Sequence, residues 1–582
     1  MERDNGIKSG GKVAILIIAM SILFTISGAV VYILIDRHMP SKEMLSIHEY
    51  HSLDKQKLHI VIGTEYIDLE YPPQIMENQL HLPLSFVREC IDPYIFWDEQ
   101  VEKLTITTVN RVIRMNLDEV EYFENNRPQR LEAPIRRNGT EVYLPASLLR
   151  ELYDVEIRLE QTNIVTVEKL TRAKLKSYVV DKVADIRHEP TIKSPIAAKL
   201  TQDTLLYVYE EEGDFTRVRT ELGEVGYVLT DSLSESEVIE AKEPKEKEIP
   251  SKAPRIDGKI VLLWDQMTNM QANGNELRRQ ILKAVNVLSP TWFEFDEEAF
   301  NGDIISLADK DYVKFAHDNG YQVWALITDN FKGDVSNMVL SNTETREHVI
   351  RQLMDFISEY SLDGINIDFE SVREEDSANY VQFFRELYPL MKEIGAVLSV
   401  DMYVPSAWSM YYNREEVGKV VDYVCVMTYD EHWGGSETSG PVASINFVDK
   451  GIADTLEEVP RDKILMGIPT YVRVWREVES DGVTSHTIRN YGMEYTYNLF
   501  RSNGVEFVWL DDVGKYYGEY SVVESGQEVT YKVWLEDERS IELKLEVAKK
   551  YDVAGIAVWK RGLETPEVWD LAEEYIRSSN SR

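Results

Sequence analysis

Cysteine is nearly missing: Cys90 and Cys425 are the only two in 582 residues, and they fall in stretches that read as different domains. A disulfide framework and a thiolate metal site are thereby excluded, so packed cores must hold the chain together. Positive charge is scarce too. With 63 Lys and Arg against 101 Asp and Glu, the net charge is −38, and a field of that sign repels nucleic acid at long range. Sequence-independent nucleic-acid binding drops out as a function class. No Gly-rich phosphate turn follows any strand-like run, which removes the dinucleotide fingerprint. Between residues 57 and 170 the only histidines, His59 and His81, lie far apart without ligand spacing. No cofactor and no metal are expected.

What is present is enough for several domains. The length is about four times the ~150 residues that usually share one core, and 43% hydrophobic with 28% charged residues is a globular composition. One long apolar run stands apart. From Val13 to Ile35 there are 23 residues without a charge, and as a helix they would reach roughly 34 Å, enough for a ~30 Å hydrocarbon layer. A cleavable signal peptide is the rival reading, but its apolar core is usually ~7–15 residues and ends at small residues, whereas this run ends Tyr-Ile-Leu-Ile-Asp. Residues 1–12, with Arg3, Lys8 and Lys12, are read as a cytoplasmic tail, 13–35 as a single transmembrane helix, and the remainder as extracellular. Secretion after signal cleavage is the alternative.

The ectodomain opens with an internal duplication. HLPLSFVREC from His81 and YLPASLLREL from Tyr143 place Pro83 and Pro145 62 residues apart. Each copy reads as a Leu-Pro turn, an amphipathic helix and then an alternating strand, Lys103–Thr107 in one and Asn163–Val167 in the other. Residues 57–170 are therefore read as a duplicated small α+β domain, and they resemble the copper amine oxidase N-terminal-like domain, a module that need not bind copper. Residues 177–233 switch to short strands broken by Gly and Pro, a small all-β barrel. Ile186-Arg187, Asp214-Phe215 and Gly226-Tyr227-Val228 resemble the bacterial SH3 domain, often a wall-binding module. Residues 234–256 are rich in charge and carry three prolines but no aromatic residue, the composition of a semi-extended linker.

From 257 to 582 eight apolar strand-like runs alternate with helical stretches, which fits a (β/α)8 barrel. The fourth run carries the chemistry. In Asp363-Gly-Ile-Asn-Ile-Asp-Phe-Glu370, period-2 alternation sends Ile365, Ile367 and Phe369 toward the surrounding helices and Asn366, Asp368 and Glu370 to the inner face. Members of that row stand ~6.6–7 Å apart, with Glu370 at the C-terminal end, where barrel enzymes place their reacting groups. A polar row inside a parallel barrel is costly unless it is used or hydrogen-bonded. A calcium loop is excluded, because alternate apolar residues dictate extension where an EF-hand needs a tight turn around Gly.

These residues resemble glycoside hydrolase family 18, whose signature is DGxDxDxE. Met427-Thr-Tyr429-Asp430 resembles the sixth-strand Met-x-Tyr-Asp of that family, Gly467-Ile-Pro-Thr-Tyr471-Val-Arg473 its seventh-strand Gly-x-Pro-x-Tyr-Gly-Arg, and Trp559 its eighth-strand tryptophan. The likeness is greatest to the spore-cortex-lytic branch, whose members hydrolyse peptidoglycan. Two positions depart from the pattern: Asn366 stands for the middle Asp, and Val472 for Gly.

The resemblance implies a retaining mechanism in which the sugar's own 2-acetamido oxygen attacks the anomeric carbon. Glu370 would be the acid and then the base, Asp368 would stabilise the oxazolinium intermediate, and Tyr429 would align the acetamido carbonyl. Asn366 would orient Asp368, and Trp559 would form an apolar floor. Asp363, Met427, Asp430 and Tyr471 join Asn366 and Trp559 as substrate-binding candidates. Asp401 and Tyr403 share a face of the fifth strand and stand near the cleft without an assigned role. The expectation is a monomeric, membrane-anchored N-acetylglucosaminidase acting on β-1,4 bonds of peptidoglycan. A chitinase is the first alternative and an inactive glycan-binding barrel the second.

Overall fold

The computed structural model describes residues 8–250, 252, 253, 256–480 and 483–579. Residues 1–7, with Arg3 of the basic flank, and the extreme C-terminus of the barrel region lie outside the described residues. The chain divides into two compact units. One holds the described residues up to Pro93 with Leu117–Val120 and Arg130–Lys247, and the other holds Tyr94–Asn116, Glu121–Gln129 and the described residues from Glu248 onward.

In the first unit a helix spans Lys8–His38. Within its segment Ala14–His38 an 18-residue window has a mean hydropathy of 2.5 and is not buried, long and apolar enough to cross a membrane, a description that a signal sequence also meets. The duplication then folds onto itself. Strand Gln79–Pro83 leads into helix Leu84–Cys90, and strand Glu141–Pro145 into helix Ala146–Leu152. Both prolines are helix N-caps, at φ −67° and −63°, the angle the pyrrolidine ring imposes. The two strands pair antiparallel with Tyr143 opposite Pro83, so the repeated Leu-Pro turns meet across one sheet. Seven further strands, from Lys174–Tyr178 to Glu237–Ile239, form an antiparallel sheet. Its last strand lies inside the stretch read as linker. Glu237–Ile239 pairs with Lys174–Lys176 through backbone bonds and a Lys176–Glu237 ion pair at 3.0 Å, and two apolar residues, Val238 and Ile239, are too short a run to mark a strand amid the surrounding charge.

The second unit contains the barrel. Its strands are β1 (Ile260–Asp265), β2 (Val287–Phe295), β3 (Gln322–Thr328), β4 (Gly364–Asp368), β5 (Val397–Tyr403), β6 (Tyr423–Met427), β7 (Ile464–Pro469) and β8 (Gly555–Trp559). All pair in parallel, and β1 joins both β2 and β8, so the sheet closes. The eight runs read from the sequence are these strands. They are nearly continuous apolar text because both faces are covered. Leu262, Trp264, Val287, Trp324, Leu326, Val397, Cys425, Leu465 and Ala557 fill the interior, while Ile365, Ile367 and Phe369 pack outward among the helices. Between β7 and β8 the chain makes an excursion into a five-stranded antiparallel sheet, Tyr471–Ser480 to Gln527–Trp534. Strands Lys103–Thr107 and Val112–Asn116 belong to the same unit, where Arg114 reaches Glu386 on helix Ser377–Ile394.

Candidate active site

The alternation in β4 has the expected sense. Ile365, Ile367 and Phe369 are wholly buried in the outer layer, while Asn366 and Asp368 face inward and Glu370 follows just beyond the strand's end. Asp329, at the end of β3, fixes the turn that carries Glu370. Its carboxylate accepts from Ser371 N at 2.8 Å, Ser336 Oγ at 2.6 Å and Phe331 N at 3.0 Å. The Tyr403 hydroxyl, on β5, donates to Glu370 Oε2 at 2.5 Å, so the acid is held from the neighbouring strand as well as by its own.

Charge is concentrated here without compensation. Burial first, then the charges of Asp329 and Asp430, raises Glu370 to about 7, against the lowering effect of the Tyr403 hydrogen bond. Burial followed by the charges of Glu370, Asp401 and Asp329 pushes Asp368 well above the ordinary carboxylate range. Among the described residues no cation figures in the balance of either group. A carboxyl kept protonated near neutral pH beside a second acid is the arrangement a general acid requires.

Two cavities flank this pair. One of ≈ 740 Å³ is lined by Glu370, Tyr403, Trp408, Met427, Tyr429, Asp430 and Trp433 among others. The other, ≈ 610 Å³, is lined by Asp368, Trp559, Phe331, Thr328 and Leu326 among others. Trp559 packs edge-on against Trp264 with ring centroids 5.8 Å apart, which turns a flat apolar surface to the cavity. Tyr429 is seated by a glycine. At Gly467 a Cβ would come within 3.0 Å of the Tyr429 ring and 2.6 Å of Val426 O, so only glycine fits the first position of Gly-Ile-Pro-Thr-Tyr. Asp430 accepts from Tyr471 Oη at 2.5 Å and Arg473 Nη2 at 2.8 Å, and so ties the loop after β6 to strand Tyr471–Ser480 of the five-stranded sheet. Glu431 accepts from Ser444 N and Oγ at the start of helix Ile445–Thr455. Val472, the second departure from the pattern, is buried in the hydrophobic core.

Of the residues singled out from sequence, the structure gathers Asp368, Glu370, Met427, Tyr429, Asp430 and Trp559 around the two cavities. Tyr471 meets them through Asp430. Two candidates fall elsewhere. Asp363 precedes β4 at the opposite end of the barrel, where Oδ2 accepts from Val323 N at 2.8 Å and pairs with His317 Nε2 at 2.8 Å. Asn366 lies one layer below the cavity floor, and its amide does not turn to Asp368. Its Oδ1 accepts from Trp264 Nε1 at 2.9 Å and Ser289 Oγ at 3.2 Å, while Nδ2 donates to Asp401 Oδ1 at 2.8 Å. No sequence pattern marks Asp329, and the sequence puts Tyr403 near the cleft without a task. The available signal was one of period: Tyr403 and Asp401 lie two apart on an apolar strand, the same inward row that marked β4.

A protonated acid beside a second carboxyl, at the C-terminal ends of the strands of a closed parallel barrel, suits glycoside hydrolysis. The family description Glycosyl hydrolases family 18 matches residues 302–564, and Copper amine oxidase N-terminal domain matches 61–167. The chain is 30% identical over 299 residues to the uncharacterized glycosylase YvbX of Bacillus subtilis, covering 49% of this chain and 83% of that protein. It is 26% identical over 262 residues to the cortical fragment-lytic enzyme of Bacillus anthracis, covering 42% of this chain and 57% of that protein. The C-terminal domain of a putative chitinase from Desulfitobacterium hafniense superposes with a TM-score of 0.50 at 22% identity, covering 55% of this chain and all of that one. The chain belongs to glycosyl hydrolase family 18.

Proposed function

We propose that this protein is a membrane-tethered N-acetylglucosaminidase that hydrolyses β-1,4 linkages after N-acetylglucosamine in peptidoglycan, with retention of configuration. The observation that carries the reading is the pair Asp368 and Glu370, sunk between two cavities, with no cation among the described residues entering the electrostatic balance of either group. Glu370 gives its proton to the leaving oxygen, so the leaving sugar occupies the cavity that Glu370 lines. The acetamido oxygen of the other sugar closes on the anomeric carbon, and Asp368, in the second cavity with Trp559, faces the resulting positive charge. Glu370 then removes a proton from water, which opens the intermediate.

The Lys8–His38 helix supports the tether, with the N-terminus cytoplasmic, 13–35 as the span and the barrel outside. In this reading 57–170 and 177–233 are separate modules, the second an SH3-like one, before a linker and the barrel of 257–582. A tethered enzyme meets wall glycan constantly, and the relatives named for cortex lysis favour that substrate over chitin. The test is mass spectrometry of muropeptides released from purified wall by the protein and by its Glu370→Gln variant. New reducing N-acetylglucosamine ends made only by the unaltered protein carry the proposal. Faster turnover of chitin oligomers than of wall would replace it by a chitinase, and glycan binding without turnover by an inactive barrel.

A further inference from the structure

The family's acidic row has lost one member, since position 366 is Asn, yet a third carboxyl is present one strand away. Register places it. Asn366 lies beside Ser399 and Ile367 beside Val400, so the next pair across β4 and β5 is Asp368 and Asp401, on inward faces of strands about 4.8 Å apart. Asp401 is 3% exposed. The amide of Asn366 is oriented without ambiguity, because the Trp264 indole N–H can only donate and therefore meets Oδ1. Nδ2 is left to donate to Asp401 Oδ1 at 2.8 Å. An ionised Asp at 366 could take the Trp264 and Ser289 bonds but would have nothing to donate to Asp401. The amide at 366 and the acid at 401 fit as a pair.

We propose that Asp401 is a positioning residue for the glycosidase reaction: it holds a neutral carboxyl beside Asp368 in place of the acid missing from position 366, so that the negative charge of the cluster settles on Asp368 when the sugar becomes positive. Two ionised carboxylates that close, with no cation, cannot coexist cheaply, and the one that must be charged in the intermediate is the one facing the sugar. The groups that act on or feel Asp401 are Asn366, Asp368 and Glu370 from β4 and its end, Cys425 from β6, Tyr429 just beyond β6, Trp264 from β1 and Tyr380 from helix Ser377–Ile394. None of these is cationic. Burial, reinforced by the charge of Glu370 and opposed by hydrogen bonds from Asn366, Cys425 and Trp264, raises Asp401 to about 8, which keeps it protonated at neutral pH.

This rests on the glycosidase reading, and the test separates the two. Asp401→Asn keeps an oxygen for Asn366 to donate to and removes only the acid. In the full-length protein in mild detergent, with N-acetylglucosamine oligomers or wall glycan as substrate, the variant is expected to keep its melting temperature and its KM within about twofold while kcat falls about tenfold or more. The alkaline limb of its pH profile should stay in place, because Asp401 is still protonated where Glu370 titrates, near 7. The exchange variant Asn366→Asp with Asp401→Asn returns a carboxyl to β4 and should recover kcat. A wild-type kcat in Asp401→Asn, a limb that moves to lower pH and so shows Asp401 ionised, or an exchange variant no better than the single one, overturns the proposal. Full activity in Glu370→Gln would instead overturn the glycosidase reading itself.

Discussion

Glu370 and Glu386 sit in the same barrel, both withdrawn from bulk water, and end in opposite states. Glu386, on helix Ser377–Ile394, is wholly buried and meets Arg346 at 3.0 Å, Arg114 at 2.9 Å and Gln382 at 3.0 Å. Burial raises it, but the two guanidinium groups outweigh burial and hold it below the usual carboxylate range. Glu370, buried and facing the charges of Asp329 and Asp430 with a Tyr403 hydrogen bond as the opposing influence, is raised to about 7. Burial is common to both, so the cations decide. The inner row spends folding energy to keep a proton available, whereas the helix layer uses the same residue type as a clamp.

The largest effect should fall on the unpaired acid. Glu370→Gln keeps the shape and removes the proton donor, so turnover of wall glycan should drop by about 10²–10⁴-fold, the usual share of general acid–base catalysis. Stability should change in the other direction. A carboxyl raised in the folded state favours folding at acid pH and opposes it as pH rises through the folded value, near 7. Thermal melts of Glu370→Gln should match the wild type at pH 5 and exceed it at pH 8, by about 1–3 kcal/mol in stability. A variant less stable at pH 8 than the wild type would show that Glu370 is paired after all.

The clamp should respond in the opposite way. Glu386→Gln leaves Arg346 and Arg114 buried beside a neutral amide, at a cost of about 3–5 kcal/mol, seen as a lower denaturation midpoint with kcat per folded molecule unchanged. Because Glu386 is depressed in the folded state, its contribution is present above the unfolded value, near 4.5, and is lost as pH falls through the folded one. The wild type should therefore lose stability on acidification more steeply than Glu386→Gln does. Equal slopes would mean that the Arg pair contributes nothing to the clamp.

Tyr403 sharpens the contrast from within the site. Its hydroxyl is the one neighbour that lowers Glu370, so Tyr403→Phe should raise Glu370 further and move the alkaline limb of activity to higher pH. Asp401→Asn, by contrast, should leave that limb in place. A loss of up to about tenfold in kcat accompanies the Tyr403 change, the worth of one ordinary hydrogen bond. An equal movement of the limb in both variants would show that packing, not charge, governs the row.

The barrel was legible because eight apolar runs announce eight strands buried on two faces, and the row Asn366, Asp368, Glu370 because period-2 alternation survives on a strand end. What alternation cannot convey is which strands lie side by side. The pairing of Asp401 with Asn366 and the hold of Tyr403 on Glu370 are contacts between β4 and β5 that depend on register. The hold of Asp329 on Ser371 crosses from β3, and Asp329 follows a strand with no polar alternation to mark it. The antiparallel strand at 237–239 is hidden for a different reason: it is a three-residue edge strand, Glu-Val-Ile, set in charged text and held by backbone bonds.

Asp363 provides the smallest effect and tests the limits of a motif. It opens the same signature that ends in Glu370, yet it lies at the N-terminal end of β4, five residues of strand below the reacting groups, where barrel residues serve stability. Its carboxylate takes the Val323 amide at 2.8 Å and the His317 ring at 2.8 Å, which joins the start of β4 to β3 and to helix Lys310–Asp318. Removing it in Asp363→Ala strands one backbone donor in a partly buried place, worth about 1–2 kcal/mol. The pH profile and kcat/KM at 25 °C should stay within about twofold of wild type, since no group that titrates in the cluster loses a neighbour. A fall in kcat comparable to that of Tyr403→Phe, with the protein still folded, would mean that the two ends of β4 are coupled through the strand and that the separation of clamp from catalyst drawn from Glu386 and Glu370 does not hold along a single element.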